Sequence, residues 1–185
     1  MSRAHALSLP VVPIPGASAL ITALCAAGLP SDRFVFEGFP PAKRQARLTE
    51  FTALAAEART LIFYESPHRI LESLDDMAAC FGATRQAALC RELTKAFETI
   101  VQAPLADLQQ WVRADENQQR GEFVVIVHGA PPVPQEALLQ EALRVLDILL
   151  ESVSVKQAAA LAAKITGMKK NQLYELALER QTEKR

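Results

Sequence analysis

Arg91-Glu92-Leu93-Thr94-Lys95-Ala96-Phe97-Glu98-Thr99 places Arg91, Glu92, Thr94, Lys95 and Glu98 directly after the apolar run Ala87–Cys90. A guanidinium, two carboxylates, a hydroxyl and an ammonium at the end of a buried strand can bind a polar ligand or move a proton. Open α/β sheets put ligand sites at strand ends. A solvated loop of mixed charge carries equal weight on spacing alone, since no standard motif has this form. Phe63-Tyr64-Glu65-Ser66-Pro67-His68-Arg69 is a second cluster where a strand meets a helix. Tyr64 can stack or hydrogen-bond, and Glu65 can accept from a ribose or amine. Ser66 before Pro67 also fits a plain N-cap with proline at the first helical position. His68 and Arg69 can face a phosphate or simply solvent.

Ile14-Pro15-Gly16-Ala17-Ser18-Ala19 is a third turn feeding a helix. The first N–H groups of a helix lack intrahelical partners and sit at the positive end of its dipole, which suits an anion. Pro15, Gly16, Ser18 and Ala19 are the residues that would meet a ligand there. An ordinary Pro-Gly turn with Ser18 as N-cap weighs more heavily on local sequence. The turn is neither GxGxxG nor a Walker loop, so dinucleotide and nucleoside triphosphate readings lack support. His5, His68 and His128 are scattered and do not pair with the cysteines at ligand spacing, which argues against a metal. A nucleophile elbow is lacking. Asp75-Asp76 falls on a helix with one carboxylate facing solvent.

These turns need strands and helices to position them. Proline at 13 and 15 bars a fully laddered strand from Val11 to Gly16, leaving a strand end running into a turn. Ala17–Ala27 has helical apolar spacing and is stopped by Gly28 and Pro30. Phe34–Phe39 reads as a strand and Lys43–Ala56 as a basic amphipathic helix, with Leu48, Phe51, Leu54 and Ala55 inward. Thr60–Tyr64 is a strand, His68–Phe81 a helix, Gln86–Cys90 a strand, and Leu105–Val112 a helix. Phe123–Val127 is the strongest strand signal. Strands alternating with helices predict an α/β layered domain.

The proline-rich run after Ala130 marks a linker. Beyond it Glu136–Glu151 is one amphipathic helix. Val155–Ile165 is a second, Gly167 breaks it, and Leu173–Leu178 lies on a third. Two helices around a glycine turn outline a helix-turn-helix. From Glu151 onward seven Lys or Arg face four Glu, an excess that favours a nucleic-acid backbone. A plain helical cap with snorkelling lysines is weighted slightly higher. The predicted organisation is therefore an irregular lead at 1–10, an α/β domain at 11–130, a linker at 131–135 and a helical accessory domain at 136–185.

Composition narrows the class. Half of the 185 residues are hydrophobic and the net charge is −1, so nucleic-acid binding has to come from a local patch rather than a global pull. Three cysteines, Cys25, Cys80 and Cys90, fit a reducing compartment and no disulfide framework. Apolar runs fall short of a membrane span, and the N-terminus lacks the apolar region of a signal peptide.

Ile14–Ala19, Ala27-Gly28-Leu29-Pro30-Ser31-Asp32-Arg33-Phe34, Glu37-Gly38-Phe39, Leu61–Ser66 and Arg91–Lys95 occur together in this order. Gly121-Glu122, Ala158–Ala162 and Asn171–Tyr174 extend the pattern. Jointly they resemble the ribosomal RNA small-subunit methyltransferase I family, within the tetrapyrrole methylase-like, class III S-adenosylmethionine methyltransferases. The resemblance runs from about Val11 to the C-terminus. It implies a mixed-sheet α/β sandwich, the C-terminal domain of such an enzyme, followed by a small all-α helix-turn-helix-like segment. It implies 2′-O-methylation of a cytidine ribose in 16S rRNA of the small ribosomal subunit, S-adenosylmethionine as cofactor, a homodimer, a cytoplasmic location, and neither metal nor membrane. Family members carry an N-terminal α/β domain before the Pro-Gly motif, and its glycine-rich signatures are not found in this chain. The chain is thus expected to match the C-terminal part of the enzyme.

On this resemblance Pro15, Gly16, Ser18, Ala19, Tyr64, Glu65 and Ser66 line the cofactor cleft. Lys43, Arg44, Thr94, Lys95 and Glu98 contact RNA, and Glu92 accepts the proton with Arg91 beside it. A non-catalytic module that binds RNA or dimerises is a second reading, and a methylase acting on a tetrapyrrole is a third.

Overall fold

The computed structural model describes residues 1–132 and 134–183, with the side chains of 181–183 excepted; Val133 of the expected linker and Lys184 and Arg185 of the expected helical domain lie outside the described residues. Contacts divide the chain into two compact units, Met1–Ala130 and Pro131–Arg185.

The first unit is built on a five-stranded mixed sheet of order β1-β2-β5-β3-β4. The strands are β1 (Phe34–Gly38), β2 (Thr60–Glu65), β3 (Gln86–Arg91), β4 (Thr99–Pro104) and β5 (Phe123–Val127). β1 and β2 run parallel, joined through helix α3 (Arg44–Leu54), as a parallel pair requires. The β2–β5, β5–β3 and β3–β4 pairs are antiparallel. β5 is central, and all five of its residues are buried. Its uninterrupted apolar sequence follows from having both faces covered.

Alternation along the strands divides the core. Leu61, Phe63, Leu89, Phe123, Val125 and Val127 face α3, α4 (Ile70–Phe81) and α5 (Leu105–Ala114). Phe51, Phe63 and Phe81 pack ring to ring in this layer, with centroids 5.3–6.3 Å apart. Ile62, Ala88, Cys90, Val124 and Ile126 point to the other face, where α2 (Ala19–Ala26) supplies Ala23 and Leu24.

Three local expectations change. Residues Ser2–Ala6 form a short helix, α1, rather than an irregular lead. Val11–Gly16 is exposed and belongs to no strand, consistent with prolines at 13 and 15 removing ladder donors. β4 was not foreseen: Gln102 and Pro104 interrupt its apolar pattern, and pairing with β3 creates the strand. The expectation for 75–76 holds, since the Asp75 carboxylate is 40% exposed to solvent. Asp76 is buried against Arg47, and Asp75 lies 3.4 Å from Arg113.

The second unit holds α6 (Gln135–Leu150), α7 (Val155–Thr166) and α8 (Lys170–Glu183). Gln157 Oε1 accepts from both Ser154 N–H and Ser154 Oγ at the start of α7. Gly167, at φ 73°, ends α7 in the left-handed conformation that a glycine tolerates without Cβ strain. Ala158, Ala159, Ala162 and Ala177 leave little side-chain bulk in the core around Leu146 and Leu173.

Candidate functional site

Register brings three residues into a row on the thinly covered face of the sheet. Tyr64 pairs with Val124, and Val124 pairs with Cys90. Beyond the end of α2 this row floors a cavity of about 450 Å³, walled by Ala19, Phe39, Glu65, Ser66, Pro67, Leu93, Glu122 and Phe123. The Tyr64 ring is held edge-on by Phe36 at 4.8 Å and Phe39 at 5.6 Å. Its hydroxyl accepts from Leu20 N–H at 3.2 Å, satisfying one open donor in the first turn of α2. Ser18 is the N-cap residue of α2, but its side chain makes no capping bond.

Glu65 is fully buried and neutralised in place. Arg69 reaches it at 2.8 Å, Ser66 N–H donates at 2.7 Å, and Ser73 Oγ donates in a short hydrogen bond. Arg69 also donates to the Pro40 carbonyl at 3.1 Å, tying the loop that carries Phe39 to the start of α4. Arg69 thus faces Glu65 rather than a phosphate, while His68 is exposed. Burial, with the nearby Glu98 carboxylate as a lesser cause, pushes the Cys90 thiol up to about 12, so it stays neutral. The cavity is therefore apolar with a few hydroxyl and backbone groups.

The segment after β3 is a braced turn. Glu92 and Thr94 adopt φ 51° and 63°, a region non-glycine residues occupy at some cost. Arg91, 7% exposed, donates to Gln118 Oε1 at 3.3 Å and to the Phe97 carbonyl at 3.1 Å. Lys95 Nζ lies 2.9 Å from both Glu92 and Glu122, Glu122 N–H donates to Glu92 at 2.9 Å, and Thr94 N–H donates to Glu98 at 2.6 Å. Lys95, and then the Glu122 N–H, hold the Glu92 carboxyl below its usual range. A second, polar trough opens on the other side of this turn, lined by Arg91, Glu92, Phe97, Glu98, Asn117 and Arg120 among others.

Of the residues singled out from sequence, Ala19, Tyr64, Glu65 and Ser66 meet at the apolar cavity, and Arg91, Glu92 and Glu98 meet at the trough. Pro15 and Gly16 are exposed and line neither. Lys43 precedes α3 in the open, and Arg44 lies 3.0 Å from Asp76, with neither lining the apolar cavity or the trough. Arg47, on the helix expected to be basic and amphipathic, is fully buried with Asp76 at 2.8 Å. Phe39, Leu93 and Val124 were missed as wall residues. The period-2 alternation that puts Val124 on the face of Tyr64 is legible, but strand register is not. Among the described residues no cluster of three His, Cys, Asp or Glu is placed to hold a metal, and no helix is long and apolar enough to cross a membrane.

This sheet has a methylase-like fold. Residues 1–109 match the tetrapyrrole (corrin/porphyrin) methylases, and residues 136–181 match the RsmI C-terminal HTH domain. The solved structure of the methyltransferase CobJ superposes with a TM-score of 0.50 at 19% identity, over 70% of this chain and 55% of that one, a likeness of fold alone. The ribosomal RNA small subunit methyltransferase I of Pseudomonas aeruginosa is 59% identical over 180 residues, covering 97% of this chain and 64% of the relative. That of Escherichia coli O157:H7 is 55% identical over 171 residues, covering 92% of this chain and 59% of the relative. The chain belongs to the tetrapyrrole methylase family, in its ribosomal RNA small subunit methyltransferase I branch. It spans about three fifths of the length of these curated relatives.

Proposed function

We propose that this chain takes part in S-adenosylmethionine-dependent methylation of small-subunit ribosomal RNA, at the ribose 2′-hydroxyl of a cytidine in 16S rRNA. The observation that carries the reading is the apolar cavity at the end of β2, where Ala19, Tyr64, Glu65 and Ser66 meet. Its chemistry suits the cofactor. The sulfonium loses its charge during transfer, so a wall whose carboxylate is already neutralised avoids overstabilising the ground state. Glu65 is held by Arg69 and Ser73, and Cys90 is a neutral thiol. When bound, S-adenosylmethionine supplies an electrophilic methyl group.

The residues of the chain divide the remaining work. Tyr64, Phe39 and Val124 exclude water from one side of the turn. Glu92 lies on that turn with its carboxyl held ionised by Lys95. Such a carboxylate is a weak base toward a neutral hydroxyl, but it orients that hydroxyl and accepts its proton as oxygen becomes positive. Arg91 is a positioning residue that holds the turn through Gln118 and Phe97. Thr94, Lys95 and Glu98 form the rim toward RNA, and Lys43 and Arg44 serve at its periphery. The match to the RsmI C-terminal HTH domain favours ribosomal RNA over a tetrapyrrole substrate, and exposed Lys156, Lys164, Lys169 and Lys170 suit a phosphate backbone.

Calorimetric titration of the chain with S-adenosylmethionine tests the cavity, and methyl transfer to unmodified small ribosomal subunits tests the reaction. Micromolar binding that is lost in Tyr64→Ala is expected. Binding unchanged by that substitution would remove the assignment.

A further inference from the structure

The polar trough beside the turn has a feature that packing does not require. Phe97 is 75% exposed at the tip between β3 and β4. A large apolar ring in water is unremarkable on a loose loop, but this loop is tightly braced. The Phe97 carbonyl accepts from Arg91 at 3.1 Å and from Thr99 Oγ1 at 3.2 Å, and Glu98 N–H donates to the Lys95 carbonyl at 3.1 Å. Two non-glycine residues with positive φ add to the cost of this shape. The backbone thus displays the ring over a trough of about 750 Å³, a volume within the range of small-ligand sites.

The same trough is lined by side chains that read polar edges. Asn117 is exposed there, and the Arg120 guanidinium makes no ion pair or hydrogen bond among the described residues. Glu98 binds Thr94 N–H through one oxygen, Oε2. Carboxylates beside the trough offset its cations, so a bare phosphate is a poor fit, whereas a flat ring with donor and acceptor edges is a good one. Unpaired bases are recognised by stacking on aromatic side chains and hydrogen bonding at their edges. A carboxylate accepts from the exocyclic amino group of cytosine.

We propose that this trough is a nucleobase site for single-stranded RNA. An amino-bearing base stacks on Phe97, with its amino edge toward Glu98 and its oxygen or ring-nitrogen edge toward Asn117 and Arg120. The inference rests on the ribosomal RNA reading, and it adds a recognition subsite across the Glu92 turn from the apolar cavity.

The test is fluorescence anisotropy of the full chain with fluorescein-labelled oligocytidylate and oligouridylate, run beside calorimetric titration with S-adenosylmethionine. Phe97→Ala is expected to weaken oligocytidylate binding about tenfold, the size typical of one lost base stack. Phe97→Trp keeps the affinity, and Glu98→Gln narrows the preference for cytidylate over uridylate. S-adenosylmethionine binding and the melting temperature stay unchanged in Phe97→Ala. RNA binding that is absent in the parent, or equal in parent and Phe97→Ala, overturns the site. Failure of S-adenosylmethionine binding with Phe97-dependent RNA binding intact would instead count against the methylation reading alone.

Discussion

At the scale of single residues, the cavity is organised by groups that serve the fold and the ligand together. Tyr64 floors the cavity and also closes the first turn of α2 through Leu20 N–H. Tyr64→Phe retains the ring contacts with Phe36 and Phe39 and deletes only the acceptor. It is expected to destabilise the α/β unit by about 1 kcal/mol, read by urea unfolding, since a capping bond has roughly that worth. An unchanged denaturation midpoint would show that water replaces the phenol. The cysteines permit a sharper contrast. Cys25 is exposed, whereas Cys90 is buried with its thiol pushed up to about 12. Iodoacetamide in mildly alkaline buffer should label Cys25 and spare Cys90 until the protein unfolds, as mass spectrometry can follow. The linkage has a definite sign. Folded Cys90 keeps its proton where the unfolded thiol loses it, so its contribution to stability falls as pH rises from a thiol's ordinary 9.0 toward about 12. Early modification of Cys90 would mean that the sheet face opens locally.

At the scale of elements, the decisive contacts join α3 to α4. Arg47 and Asp76 are both buried and lie 2.8 Å apart, and Arg47 also approaches the Pro41 and Ala42 carbonyls at 3.5 and 3.4 Å. A Pro-Pro pair offers no N–H at either position, so its loop depends on its carbonyls for anchoring. Removing Asp76 leaves the buried Arg47 guanidinium with only the exposed Glu72 carboxylate, 3.4 Å away, as an ionic partner. Asp76→Ala is therefore expected to cost about 3–5 kcal/mol in thermal or denaturant unfolding, while exposed Arg44 contributes far less. A loss below about 1 kcal/mol would show that Arg47 finds other partners or water. This pair also marks where reading the sequence stops. The strands Phe34–Gly38, Thr60–Glu65 and Phe123–Val127 and the amphipathic α4 and α5 are legible because their periodicity is local. Arg47 is not, because a cation on a basic helix looks solvated until its tertiary partner is known. β4 escapes for a similar reason, since its pairing with β3 overrides a weak local pattern. Tyr64-Glu65-Ser66 is legible as a strand-end cluster, but the wall opposite it comes from β3, β5 and the Phe39 loop, joined only by register and chain reversal.

At the scale of the whole molecule, two units with separate cores predict separable properties. The α/β unit has two apolar layers around a sheet, and the helical unit has one small core rich in alanine. Area buried per residue falls steeply in units this small, so the helical unit should be the less stable. Limited proteolysis is expected to cut first near residues 131–135, where the described residues are exposed and precede the body of α6. A chain ending at Ala130 keeps every residue that lines the apolar cavity and the trough. It should therefore retain the main unfolding transition and S-adenosylmethionine binding of the full chain. It also loses Lys156, Lys164, Lys169 and Lys170, all exposed on the helical unit. If these lysines contact phosphates, each contact steepens the salt dependence of single-stranded RNA binding by about 0.7 units of logarithmic slope. The truncated chain should then bind single-stranded RNA more weakly and with a shallower salt slope, while its discrimination between cytidylate and uridylate persists. Comparing anisotropy titrations of both chains across a salt series checks this. Equal slopes would place the phosphate contacts on the α/β unit, and loss of base discrimination on truncation would place base reading on the helices.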